Sequence, residues 1–443
     1  MEPSALEGNQ FPVSEQQTID PMGNPLPENS DTNPIVSNPD IPQGLQRVGR
    51  FATFVNLVNG LIGAGIVGVP ATFALSGVGP TVVLILICSS LCYICGNFMI
   101  ELQNEFKVGG LDDLALLVFG RWGQNLLGIG VIIFSMSCTV AYLIIGSNKL
   151  KDWLGVAGVK VETNGQWALL VFIYAILLPM LLTIPRNLGF LSKFSMATVC
   201  CIMYYIIALM IKSIIQLGDN GIHTTAIGSK YGSGLFQAFS VHCLTFALPV
   251  VMMPIIAPYN PSIKKRKLVH GLVYVFSFIA IAIPGCLAYL VHGSTTAGDV
   301  LSSYKKDDVM IITVQIAMFF VVSFSYPIIA VSIVGSLGQI FYGQNIPELL
   351  STKQRLILIP VVNIVNLIIA MFIKNITPVL GVGGSLGGCF VVFFFPSLVK
   401  LKVTKDSYTT WENIMHIVIA TFGFLAAVVC GYYSIVDAIN KFK

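Results

Sequence analysis

From Phe51 to its C-terminus the chain is a succession of apolar runs, each about as long as a bilayer is thick, joined by short polar links. A helix needs roughly 20 apolar residues to cross the hydrocarbon core. Inside that core every backbone N–H and C=O must be satisfied within the chain, so runs of this kind can only be helices. Charged residues make up just 10% of the sequence and the mean hydropathy is +0.81, whereas soluble domains carry about 25% charged residues. The fold class is therefore an all-α polytopic membrane protein.

Eleven spans are expected, at 51–73, 79–101, 123–147, 166–184, 194–217, 234–257, 268–291, 309–341, 355–373, 378–399 and 412–436. Residues 1–46, rich in Pro, Asn, Ser and acidic side chains, read as a disordered cytoplasmic tail ahead of a transmembrane domain at 47–443. The tail has no basic segment leading into an apolar core, so no cleavable signal peptide is expected. The stretch from Leu111 to Phe119 reads as a short interfacial helix before the third span. With the N-terminus cytoplasmic, fifteen of the 25 basic residues fall on the inner side, every arginine among them. That is the positive-inside bias, and an odd number of spans then leaves the C-terminus outside or luminal.

Two spans carry residues that weaken helices. The first reads NLVNGLIGAGIVGVP from Asn56 to Pro70, with Gly60, Gly63, Gly65 and Gly68, and each glycine costs roughly 1 kcal/mol of helix propensity against alanine. Small residues also serve close helix packing. The sixth span holds His242 mid-span and Pro249 and Pro254 within its apolar run, and an internal proline removes a helical hydrogen bond. Interrupted helices five spans apart are the pattern of secondary carriers built from inverted repeats, whose solute site lies at the broken helices. Freed N–H groups there can receive a carboxylate and freed carbonyls a cation. Asn59 adjoins the first break.

Other chemistry is poorly represented. No Walker A, HExxH or G-x-S-x-G motif is present, so the chain does not read as an enzyme, and no basic stretch suits nucleic acid. All ten cysteines lie in apolar segments and read as small packing residues, the Cys92/Cys95 pair included. The glycines from Gly381 to Gly388 read as sites of close helix contact. His242 is the histidine placed mid-membrane, where ionisable groups mark function; His223, His270, His292 and His416 fall near loops or span ends. Asp299 and the other acidic residues sit at span ends, with no carboxylate mid-span.

Four motifs in order resemble a known family: the first-span NLVNGLIGAGIVGVP, FSVHC with ALPV and NPSIKKR around the sixth span, VSFSYP in the eighth, and GVGGSLGG with FFFPS in the tenth. The chain resembles the amino acid/auxin permease family of the amino acid–polyamine–organocation superfamily, nearest the sodium-coupled neutral amino acid transporters (systems A and N). The likeness runs from Phe51 to Tyr433. It implies a LeuT-type fold, an inverted 5+5 repeat plus one helix with discontinuous helices 1 and 6. It also implies a monomeric symporter of small neutral amino acids with no cofactor beyond a coupling ion, sodium or alternatively a proton. Substrate would meet Asn59, Gly63, Ala64, Gly65, Phe239 and His242, and a sodium ion Asn59 with Ser323 and Ser325. Gly218 to Ser233 is short and lacks the cysteines of the plasma-membrane relatives, so a vacuolar or endolysosomal membrane is the alternative to the plasma membrane. A nutrient sensor signalling through the tail is a second class of function. A passive channel is a third, for which the chain shows no rings of charge.

Overall fold

The computed structural model describes residues 48–63, 65–186 and 189–442; the tail and Ala64 lie outside them. The first segment is built of α1 (Arg50–Leu61) and α2 (Gly65–Ser76), bent by 51° to each other. There follow α3 (Val78–Phe106), α4 (Leu111–Val156), α5 (Asn164–Ala175), which continues through a π turn and a 3-10 turn to Thr183, and α6 (Gly189–Asn220). The sixth segment is α7 (Gly234–Thr245) and α8 (Pro249–Ile256). Next come α9 (Ile263–His292), α10 (Val309–Tyr342) and α11 (Thr352–Phe372). The tenth segment is α12 (Ile376–Val382), a π-helical stretch Gly383–Phe394, and α13 (Phe395–Val403); α14 (Trp411–Phe442) ends the described chain. Among the described residues ten helices are long and apolar enough to cross a membrane, and the bent α1–α2 pair makes eleven, as the hydropathy predicts. No strand accompanies them there, only an isolated bridge between Gly77 and Ser229.

Local chemistry sets the boundaries. Asp308 caps α10 by accepting from the N–H groups of Met310 and Ile311, and also pairs with Lys212. Burial pushes this carboxyl up, but the Lys212 ion pair and the two N–H groups outweigh it and hold it below its ordinary range. Thr163 and Ser351 form capping boxes with Gln166 and Gln354 at the starts of α5 and α11. The interfacial helix before the third span is present but joined to it: α4 folds at Gly120, whose φ of 69° and ψ of −167° suit only glycine. At its other end α4 outruns the expected limit of 147, because the charges on its last turns, Lys149 and Asp152, pair with Asp299 and Lys306.

The segments pack so that α2 and α7 lie together at the centre, against α9, α3 and the tenth segment, while α4 and α10 run along each other. The tenth-segment glycines do mark close contacts. A Cβ on Gly384 would collide with the Ser240 carbonyl of α7, and one on Gly387 would stand 2.7 Å from the backbone of Phe134 in α4. All ten cysteines are free thiols, most of them buried. Ion pairs tie the segments together: Lys149–Asp299, Lys212–Asp308 and Lys306–Asp152 join α4, α6 and the 293–308 connection, and Lys267 and Lys400 both reach Glu101 of α3.

Candidate functional site

The first and sixth segments meet each other. A Cβ added to Gly65, the first residue of α2, would stand 2.9 Å from Thr245 Cβ and 3.0 Å from Thr245 Cα, at the last residue of α7. A Cβ on Gly60 would meet Val251, Ile255 and Leu248, and one on Gly63 would meet the Tyr142 hydroxyl of α4 at 3.0 Å. None of these glycines takes the left-handed conformation. The chain leaves helical geometry at Ile62 (φ −85°, ψ 85°), a conformation open to any residue. The glycines are needed for close approach, and the break itself does not require their freedom in φ. The first four N–H groups of a helix have no partner within it, so the start of α2 is an anion-favouring end set against α7.

In the sixth segment the break falls at Phe246–Leu248, directly before Pro249, which opens α8 where a proline's missing N–H costs nothing. Pro254 sits inside α8 without ending it. The freed carbonyl of Phe246 is taken up by the protein: Tyr274 Oη of α9 donates to it at 3.0 Å, and Leu248 N–H at 2.8 Å. Gln103 Nε2 of α3 donates to the Met253 carbonyl at 2.9 Å. This break is therefore braced by neighbouring helices.

His242 is fully buried. Thr72 of α2 gives its hydroxyl proton to the Val69 carbonyl at 2.6 Å, so at 3.2 Å from His242 Nε2 it can only accept. Nε2 of the neutral ring then carries the hydrogen and Nδ1 is a bare lone pair, buried with no partner. A buried acceptor without a donor is costly, and a bound solute is one way to relieve it.

The remaining candidates lie as follows. Gly63 and Asn59 are half-buried beside the first break; Ala64 is outside the described residues. Phe239 sets its ring edge-on to Phe422 of α14, 5.7 Å between centroids, in an apolar groove lined also by Leu84, Leu425 and Cys430. Ser323 is buried and shares a 2.9 Å hydrogen bond with Tyr174 Oη of α5; Ser325, two residues on, is half-buried. The structure thus sets Gly63 against Tyr142 of α4, Gly65 against Thr245 of α7 and His242 against Thr72 of α2, and aims Phe239 at α14 and Ser323 at α5. The partners in these contacts, Thr72, Tyr142, Thr245 and Tyr274, were not singled out from sequence. Two of them were within reach of it: Thr72 shares a helix face with Gly65 and Gly68, and Thr245 lies three residues past His242. His270, assigned to a span end, is in fact fully buried, stacked on Tyr93 with Nδ1 3.2 Å from Asn97 Oδ1.

A sequence model of the family described as "Transmembrane amino acid transporter protein" matches residues 47–436. The chain belongs to that family. It is an amino acid transporter rather than an enzyme, with a small-molecule substrate and a bilayer around it. Two similar members are the sodium-coupled neutral amino acid transporter 7 of Danio rerio, 25% identical over 391 residues (83% of this chain, 82% of that protein), and its Homo sapiens counterpart. The human protein is 24% identical over 407 residues, covering 87% of this chain and 86% of its own length. The family match begins just before α1 and ends within α14.

Proposed function

We propose that this transporter is a secondary active symporter of small neutral amino acids, working by alternating access on a LeuT-type scaffold with sodium as the coupling ion. The observation that carries the reading is the contact of Gly65 with Thr245, which sets two interrupted segments five spans apart against each other at the centre of the helices. Carriers with inverted repeats hold their solute at such a junction. Spans three and eight, also five apart, pack along each other as α4 and α10, in keeping with a 5+5 repeat. The substrate's carboxylate would lie on the N-terminus of α2 and the backbone of Gly63, Ala64 and Gly65, with His242 Nδ1 accepting from its ammonium. Asn59, Ser323 and Ser325 offer oxygen donors of the kind a hard alkali cation takes. The names of the two relatives support both a neutral substrate and sodium.

Reconstitution into proteoliposomes, with sodium and pH gradients imposed separately, tests this. An inward sodium gradient is expected to drive accumulation of labelled neutral amino acids. One cation crossing 100 mV supplies about 2.3 kcal/mol, enough for roughly a fifty-fold gradient. Uptake that merely follows the substrate's own gradient would sink the proposal.

The bare Nδ1 of His242 favours a second reading, in which the coupling ion is a proton carried on that ring. His242→Gln separates the two. We expect sodium-driven uptake to persist with affinity reduced about tenfold or more, the scale of a lost hydrogen bond to a charged group. Uptake driven by pH in the native chain and abolished in the variant would establish the proton route instead.

A further inference from the structure

A polar pocket of about 390 Å³ opens where α4 ends and α12 begins. Its wall includes Lys151 and Asp152 of α4, Ser302 and Lys306 of the 293–308 connection, and Lys374 just ahead of α12. The carboxylates of this wall are already engaged. Asp299 pairs with Lys149 at 2.5 Å. Asp152, only 4% exposed, meets Lys306 Nζ at 3.0 Å and accepts from Ser302 Oγ at 3.2 Å and Gln315 Nε2 at 3.3 Å. Two ammonium groups are left over. Lys151 forms no ion pair among the described residues, and Lys374 donates to the neutral amide of Asn164 at 2.7 Å.

The pocket also borders the candidate site. Gly298 and Ile376 both line it, and a Cβ on Gly68 would stand 3.9 Å from the Gly298 carbonyl and 3.6 Å from Ile376 Cδ1. Gly68 is one turn of α2, about 5 Å, beyond Gly65. A solute in the pocket would thus be separated from the broken segments by one layer of side chains.

We propose that this pocket is an antechamber that docks an amino acid before it passes to the junction of α2 and α7. Lys151 and Lys374 hold its carboxylate, and Asp152 receives its ammonium in exchange for Lys306, a half-exposed side chain free to swing aside. The inference rests on the amino acid carrier reading and adds to it a second, outlying position with its own chemistry. Its size is that of a small-ligand site. Uncompensated charge of one sign in a cleft concentrates ligands of the other sign, and the buried anchorage of Asp152 fixes the wall's shape before any ligand arrives.

The test uses the full chain in proteoliposomes, with a mixture of labelled neutral L-amino acids applied in turn to each face. The double variant Lys151→Gln/Lys374→Gln is expected to raise the half-saturation constant about fivefold for entry from the pocket's face, as removal of two partly screened charges should. The maximal rate, and half-saturation from the opposite face, should stay as they were. Excess salt should weaken entry by the native chain and leave the variant unmoved. Lys151→Gln alone, which breaks no ion pair among the described residues, should show the same change in smaller degree and serves should the double variant fail to insert. An unchanged half-saturation constant, or an equal change from both faces, overturns the antechamber while leaving the carrier reading intact. A native chain that moves no amino acid from either face overturns the carrier reading, and the antechamber with it.

Discussion

Replacing Gly65 by alanine is expected to cut amino acid uptake by on the order of 100-fold while the chain still inserts in the membrane, a loss of the size that a misplacement of about 1 Å produces in a reacting site. The added methyl would lie 2.9 Å from Thr245 Cβ and 3.0 Å from Thr245 Cα, distances that real Cβ atoms do not adopt. Overpacking of this kind costs about 1–3 kcal/mol, which helices held by eleven spans of packing can absorb by shifting α2 away from α7. That shift opens the junction proposed to hold the solute. Truncating the partner is no remedy: Thr245→Ala removes the hydroxyl and methyl but leaves the Cα in the way. Gly63→Ala is the informative control. Its methyl would meet only the Tyr142 hydroxyl, at 3.0 Å, the far end of a side chain that can give, so uptake should fall by less than about tenfold. Both variants are read as labelled uptake per amount of inserted protein. Native rates from Gly65→Ala would mean that the contact between α2 and α7 has no part in transport.

Much of this was legible in the residues, and for definable reasons. The spans follow from run length and hydropathy, because a bilayer leaves a chain only helices to form. The first break shows in Gly60, Gly63 and Gly65, although its physical meaning differs from the obvious one: Ile62 turns the chain, and Gly65 lets α7 approach. Pro249 opens α8, separated from the end of α7 by three residues, while Pro254 is accommodated within α8. What could not be read were pairings across the sequence. Nothing in the string says that Thr72 faces His242, that Tyr142 reaches Gly63, or that Tyr274 closes the carbonyl of Phe246, since each joins segments that tertiary packing alone brings together. Phe239 shows the same limit from the other side. It lies one turn before His242 on the same helix, yet its ring is taken up by Phe422 of α14, a contact that only tertiary packing decides. Asp299 read as a residue at a span end, and its burial depends wholly on a partner 150 residues earlier.

That partner, Lys149, makes the second large expectation. Its side chain is 0% exposed and that of Asp299 2%, with Nζ and Oδ2 at 2.5 Å. Removing one member of a buried pair strands the other charge at a cost of about 3–5 kcal/mol, whereas replacing both by apolar groups of similar volume is often neutral or better. Asp299→Asn isolates the charge. It keeps the shape, and its Oδ1 can still accept from the Leu301 N–H, the 3.2 Å bond that starts the 3-10 turn Val300–Ser303. Thermal unfolding of purified protein should therefore rank Asp299→Asn well below the native chain and the double variant Lys149→Met/Asp299→Leu close to it, with a strongly non-additive cycle. The same ordering should hold for the amount of protein inserted in cells, since a loss of this size is a large share of any fold's margin. The turn that Asp299 starts packs on α2, so the pair also holds the 293–308 connection against that helix. Should Asp299→Asn unfold with the native chain, the pair would be worth no more than an exposed bridge, about 0–1 kcal/mol, and something other than this charge contact would have to hold that connection in place.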